Sequence, residues 1–325
     1  ARLPEFRVEA APLRTNQEIL GRNTWMLWCG GNEGFWDWLS SDSLGFIDLL
    51  KLVDSRMRRQ RFDKGGLINE PGMRQTGGPD QFGLWLDIPA DGRTREWRNR
   101  YLEKTFDLIR QGKHPSQRGL GSNRETSYAG GGYPSSYEPS AGDAYAQRET
   151  RGGYDAGVKD DYERNRAYPP PEIYGFSSGV IGLRLFPNPN FDAAAREKWD
   201  AARYYDSEDP EYWNDPHLVR PYRVGVACAY CHASFHPLNP PRDIHNPRWE
   251  NISGNIGAQY LRIRVAFGNL LEPDNFVYHI LDSQPPGTID TSLIASDNIN
   301  NPNTMNPVFN LPQRALLSLR NPKES

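Results

Sequence analysis

Apolar residues recur at helical spacing in three long stretches of the chain and bunch like a strand in one. Across 43–59, Phe46, Leu49, Leu50, Val53 and Met57 share a face, and Arg56, Arg58 and Arg59 gather toward the C-terminal end, where cations suit the helix dipole. The pattern predicts an amphipathic helix. A second is predicted from about Arg95 to Arg110, with Trp97, Tyr101, Leu102, Phe106 and Ile109 on one side and Gly112 as its stop. A third falls near Ile256–Leu271, where Ile256, Tyr260, Ile263, Phe267 and Leu271 recur. GVIGLRLF at 179–186 is the best strand candidate, followed by a short helix at about 192–204. Residues 1–20 read as an extended arm, and the tail from 283 as loop.

Composition changes this picture in one respect. Hydrophobic residues make up only 37% of the 325 positions, yet there are 9 Trp, 16 Tyr and 13 Phe, so burial has to lean on aromatics. Glycine (30) and proline (27) imply much ordered loop. Between 116 and 176 the only aliphatics are Leu120, Val158 and Ile173, against many Gly and Tyr. Such a stretch cannot build its own core and reads as an irregular excursion pinned by tyrosines over another surface. The expected organisation is an aromatic-rich helical region at 1–115, the Tyr/Gly-rich excursion at 116–176, and a C-terminal region at 177–325 with its core at about 210–325. The expected fold is mainly α with extensive irregular loops.

Charge excludes some partners. A net charge of −3 gives no basic field for nucleic acid or anionic lipid, and no apolar run is long enough to span a membrane.

The chemistry lies at Cys228-Ala229-Tyr230-Cys231-His232, a CxxCH motif. Two thiols three apart on a turn can each add to one haem vinyl group, and the adjacent imidazole then supplies the proximal iron ligand. One covalent haem c is therefore expected, which makes 177–325 a haem-binding region, a cytochrome c-like domain embedded in the larger aromatic-rich chain. Two other chemistries compete. A zinc site using Cys228, Cys231 and His236 lacks a second ligand pair beyond His245, and a redox dithiol would want a βαβ setting that RPYRVGVA does not supply. The third cysteine, Cys29, is left unpaired. Because haem attachment in bacteria takes place outside the cytoplasm, the expected location is periplasmic or extracellular, with Ala1 following a removed signal.

The second axial position decides the role. Met305, in the polar loop NINNPNTMNPVFNL, is the leading distal ligand; His279, His217, Met73 or an open iron are the alternatives. Met26 and Met57 sit in apolar settings that packing explains. Arg220, Tyr222 and Arg223, just before the motif, are candidates to pair with haem propionates, although ordinary surface charge explains them as well. Trp25, Trp28 and Trp36 are expected to help bury the haem. His114, His236 and His245 read as surface or hydrogen-bonding residues.

The run LVRPYRVGVACAYCHASFHPLNPPRDIHNPRWENISGNIGAQYLR, with IDTSLIASDNINNPNTMNPVFNL, GRNTWMLWCGGNEGFWDWLS and GVIGLRLFPNPNFD, resembles a group of secreted bacterial c-type cytochromes. These are distantly related to the dihaem cytochrome c peroxidase and rubber-oxygenase superfamily. The resemblance covers most of the chain and implies that Cys228, Cys231 and His232 hold the haem. Relatives of this type would continue into a second CxxCH-bearing half, and this sequence has one motif. The expectation is a monohaem carrier of single electrons, working with a redox partner or a haem-bearing subunit, with the Tyr/Gly-rich region as an assembly surface. The alternative is a haem peroxidase or oxygenase with an open iron, dependent on a second haem elsewhere.

Overall fold

The computed structural model describes residues 25–42, 46–112, 174–254 and 260–286. The arm at 1–20, nearly all of the 116–176 excursion, and Met305 with its loop lie outside the described residues. What is described overturns the expectation of a mainly α fold. Short helices alternate with three antiparallel sheets, so the architecture is mixed α and β. Among the described residues only α1 (Glu33–Asp42) and α2 (Gly92–Arg110) exceed seven residues.

Helix α2 ends where expected, at Arg110, and begins slightly before the expected Arg95. Asp91 caps it by accepting from the Thr94 amide, Trp97, Leu102, Phe106 and Ile109 are buried, and Gly112 leaves it at a φ of +69°. The expected helix over 43–59 is broken instead. Its described part is helical at Leu49–Leu52, then forms a separate 3₁₀ turn at Ser55–Met57. Between them Asp54 bridges to Leu86, and the Ser55 amide donates to the Trp85 carbonyl at 2.8 Å. Pairing with a distant segment outcompetes helix continuation. Arg58, read as a dipole partner, is buried in an ion cluster described below.

The strand expected at 179–186 begins later. Gly179 and Gly182 have φ of +92° and +79°, so 179–182 is a turn, and strand β4 is Leu183–Pro187. It lies between β3 (Phe176–Ser177) and β5 (Tyr222–Val226). Strand β5 carries no alternation, because Val224, Gly225 and Val226 are all buried. The short helix expected at 192–204 is two, Ala193–Lys198 and Ala201–Tyr205, each with its own aspartate cap, Asp192 and Asp200. In the third predicted helix only Ile263–Phe267 is helical among the described residues. The Arg262 amide donates to the Gly65 carbonyl at 3.0 Å, and Arg262 itself is extended (φ −92°, ψ 115°), so the helix starts only after it. Two small sheets complete the fold: β1 (Met73–Arg74) with β2 (Ile88–Pro89), and β6 (Ala233–Phe235) with β7 (Ile252–Gly254).

Aromatic rings fill the core as the composition implies. Phe82 meets Phe106 at 4.5 Å and Phe191 at 5.2 Å, and Phe106 meets Tyr222 at 5.4 Å, all edge to face. One apolar cluster joins Trp36, α2, β4, β5, Tyr230 and Leu261. Beneath it sits a buried ion cluster around Asp87, which is fully sealed from solvent. Asp87 accepts from Ser55 Oγ at 2.6 Å and Arg61 Nη1 at 2.8 Å, and pairs with Arg58. Arg98 donates to the Asp87 carbonyl at 3.1 Å.

Candidate functional site

Strand β5 delivers the motif. After Val226 the chain turns at Ala227, Cys228 adopts helical dihedrals (φ −53°, ψ −36°), and α3 (Ala229–His232) makes a single turn. Ala233 returns to extended backbone and opens β6. The turn is closed by the Tyr230 amide donating to the Ala227 carbonyl at 3.0 Å and the His232 amide to the Cys228 carbonyl at 3.2 Å. Cys228, Cys231 and His232 thus stand at i, i+3 and i+4, on one face of a helical turn.

Two distant segments fix this turn. The Ala227 amide donates to the Gly182 carbonyl at 2.8 Å. A Cβ on Gly182 would lie 2.1 Å from the Tyr230 nitrogen and 2.5 Å from its Cα, so only glycine lets the two backbones meet. On the other side Asn32 brackets Val226: its Nδ2 donates to the Val226 carbonyl at 2.8 Å, and its Oδ1 accepts from the Val226 amide at 2.9 Å. Neither Gly182 nor Asn32 is marked by the sequence pattern. Gly182 lies inside a strand-like run, and Asn32 acts 194 positions away.

The flanks of the turn are apolar. Tyr230 projects into the main core, edge-on to Phe267 at 6.0 Å. Ala229 and Ala233 pack with Met26, Leu27, Ile68, Ile181 and Ile252. His232 is 2 % exposed, Cys231 is buried and Cys228 half-buried. Burial, with Cys228 nearby, pushes the Cys231 thiol up to about 12, and burial raises Cys228 too, so both stay protonated at neutral pH. Beside the turn, Ile68, Ile181, Ala229, Ala233 and Tyr260 line a cavity of ≈ 10 Å³, space for about one water.

The other candidate residues are placed elsewhere. Tyr222 is buried among Phe82 and Phe106. Arg223 donates from Nε to Asp37 Oδ2 at 2.9 Å, and Arg220, buried, donates to Asp48 Oδ2 at 2.9 Å. All three have partners within the scaffold. Of the alternative distal ligands, Met73 is buried in β1, His217 lies in an exposed turn, and His279 is on the helix Phe276–Asp282. His236 accepts from the Leu238 amide through Nδ1, and His245 lies 3.6 Å from Asp63. The described residues contain no group of three or more His, Cys, Asp or Glu placed to hold a metal ion. Trp36 stacks on Phe267 at 5.7 Å and so lies one ring from Tyr230, while Trp25 packs against Gly254. Cys29 is fully buried and free, its sulfur 2.8 Å from where a Cβ on Gly225 would sit.

Two thiols and an imidazole at i, i+3 and i+4 are the donor types that a c-type haem uses, while His232 and Cys231 are buried and the adjoining cavity holds about one water. No described helix is long and apolar enough to cross a membrane. Compared with protein-family models, curated proteins and solved structures, the chain finds no match.

Proposed function

We infer that this chain is a c-type cytochrome that carries one haem, bound through thioether bonds at Cys228 and Cys231 with His232 as proximal iron ligand. The observation that carries the reading is the presentation of these three side chains on one face of a turn fixed at both ends, by Gly182 and Asn32 before it and by the β6–β7 pair after it. Each thiol would hold the group by adding across one vinyl, its hydrogen passing to the vinyl carbon that sulfur does not bond. When bound, haem supplies an iron that takes up and releases single electrons. The protein's part in this reading is to hold the imidazole of His232 on the clamped turn, where the side chain is 2 % exposed. Met305 is the distal ligand in this reading, and the role is electron carriage outside the cytoplasm, alone or as one subunit of a larger redox complex.

The absorption spectrum of the purified protein, ferric and then dithionite-reduced, tests this. A sharp reduced α-band at about 550 nm, retained after denaturation and lost in the Cys228→Ser, Cys231→Ser double variant, is expected. Absence of that band ends the reading. A high-spin ferric spectrum that shifts with cyanide would keep the haem and replace electron carriage by chemistry at an open iron.

A further inference from the structure

Lys51 is placed differently from the other described lysines. Lys64, Lys104 and Lys198 are exposed, whereas Lys51 is half-buried at the end of the short helix Leu49–Leu52. Its Nζ lies 4.3 Å from the Trp213 ring centroid and 5.0 Å from that of Tyr204, and both rings are buried. The amine therefore rests on aromatic surface while its side chain still reaches solvent. Ring faces attract a cation. The charges around these rings do not balance one.

The carboxylate that acts on Lys51 is Asp48, and it is already engaged. Its Oδ2 accepts from Arg220 Nε and from the Tyr204 hydroxyl, each at 2.9 Å, and its Oδ1 accepts from the Leu50 amide at 2.9 Å. Buried Arg220 brings a second cation to the same place, its Cζ 5.9 Å from the Tyr204 ring that Lys51 also faces. One carboxylate thus stands against two positive charges. Charges on the adjoining elements are used elsewhere: Arg203 pairs with Asp209, Arg223 with Asp37, and Glu211, on the helix of Trp213, is exposed. An amine against apolar walls and beside another cation gives up its proton readily and becomes a nucleophile. Burial is the main reason that the Lys51 pKa falls from 10.5 to about 8; Asp48 opposes the shift and Arg220 adds to it. Charge also selects the electrophile. The imine formed with an aldehyde takes up a proton and restores the cation, whereas an amide is neutral and removes it.

We propose that Lys51, held between Trp213 and Tyr204 with Asp48 committed to Arg220, is a modification site that takes an acyl group from a thioester. The amine lone pair attacks the thioester carbonyl, a C–N bond forms and the C–S bond breaks. The thiolate leaves with the electron pair of that bond and takes up the proton that nitrogen sheds, so no oxidant or reductant is required. Incubating the full chain with S-phenyl thioacetate at neutral pH, and reading acetylation peptide by peptide in a mass spectrometer, tests the proposal. Lys51 is expected to be acetylated several-fold faster than exposed Lys64, Lys104 and Lys198, and to lose that lead in urea. Its rate should level off above a pH of about 8, while the exposed lysines keep gaining toward 10.5. Labelling of Lys51 no faster than the exposed lysines overturns the proposal, since the rings then hold the ammonium and shield it. A lead that persists in urea overturns it too, because the preference would belong to the local sequence and not to the pocket. Labelling by propanal and cyanoborohydride but not by the thioester overturns it as well, and gives the amine to carbonyl chemistry.

Discussion

The Asp87 cluster is sealed from solvent and the motif turn at 227–233 is buried except at half-buried Cys228, and they are held in opposite ways. At Asp87 one carboxylate, fully buried, draws in Ser55, Arg58 and Arg61, and the guanidinium of Arg61 reaches on to the Val53 carbonyl at 2.6 Å and the Asp54 carbonyl at 3.0 Å. The attachment is electrostatic and runs through long side chains. At the motif the attachment is backbone against backbone, through Gly182, with one amide side chain, Asn32, bridging Val226. Charge suits a joint that gathers several loops. Close backbone approach suits a turn whose own side chains have to stay available for chemistry.

Removing the charge should have the largest effect. Asp87→Ala leaves Arg58 and Arg61 buried without their carboxylate, a loss of about 3–5 kcal/mol, against a total stability of about 5–15 kcal/mol for an ordinary domain. Urea unfolding followed by circular dichroism should show a collapsed midpoint or no cooperative transition. A loss below about 1 kcal/mol would mean that the cluster behaves like a surface pair, and the contrast would fall.

Gly182→Ala should come next, with about 1–3 kcal/mol from the left-handed backbone alone and a further loss from the clash with Tyr230. Gly72→Ala isolates the second part, since Gly72 has a φ of +81° with nothing within 4 Å of its would-be Cβ. The two variants should differ clearly in unfolding midpoint, and haem incorporation should fall only for Gly182→Ala. Equal losses would show that the close approach to the motif turn is unimportant.

Asn32→Leu removes two hydrogen bonds from a buried strand end and leaves the amide and carbonyl of Val226 unpaired, costing about 1–3 kcal/mol. Hydrogen exchange at the Val226 amide should accelerate well before global unfolding is affected. Unchanged protection at Val226 would remove Asn32 from the clamp.

What was legible in the sequence divides along the same line. Helix α2 could be read because its apolar stripe and Gly112 speak locally for one structure, although its cap, Asp91, went unread and starts it earlier than Arg95. The CxxCH motif could be read because its chemistry is compressed into five residues. The break at Asp54 could not, because Trp85 and Leu86 compete for that backbone from thirty positions away. Strand β5 was hidden because burial on both faces erases alternation. The motif's supports were hidden for the same reason as the break: Asn32 and Gly182 act through contacts distant in sequence, and neither residue type marks a site by itself. Arg220 and Arg223 illustrate the converse, since their positions before the motif suggested propionate partners while Asp48 and Asp37 take them into the scaffold.

The smallest expected effect concerns a charge that the scaffold does not satisfy as it satisfies Arg58 and Arg61. The Lys51 ammonium sits 4.3 Å from the Trp213 ring and 5.0 Å from the Tyr204 ring, while the nearby Asp48 carboxylate is occupied by Arg220 and the Tyr204 hydroxyl, each at 2.9 Å. Burial lowers the Lys51 pKa from 10.5 to about 8, with Arg220 adding to the shift and Asp48 opposing it. Between those two values the unfolded chain holds a proton that the folded chain has released, so folding stability rises with pH across the window; below about 8 both states hold it and the slope vanishes. Tyrosine and cysteine thiols with raised values pull the other way in the same range, so the contribution of Lys51 is read as a difference. Lys51→Met keeps the stem against Trp213 and removes the proton. Its unfolding free energy, compared with the wild type from neutral pH to pH 10.5, should show the larger advantage at neutral pH and lose it as the medium becomes alkaline. A constant difference across that range would mean that the two rings stabilise the ammonium enough to offset its burial, and Lys51 would then belong with the satisfied charges around Asp87.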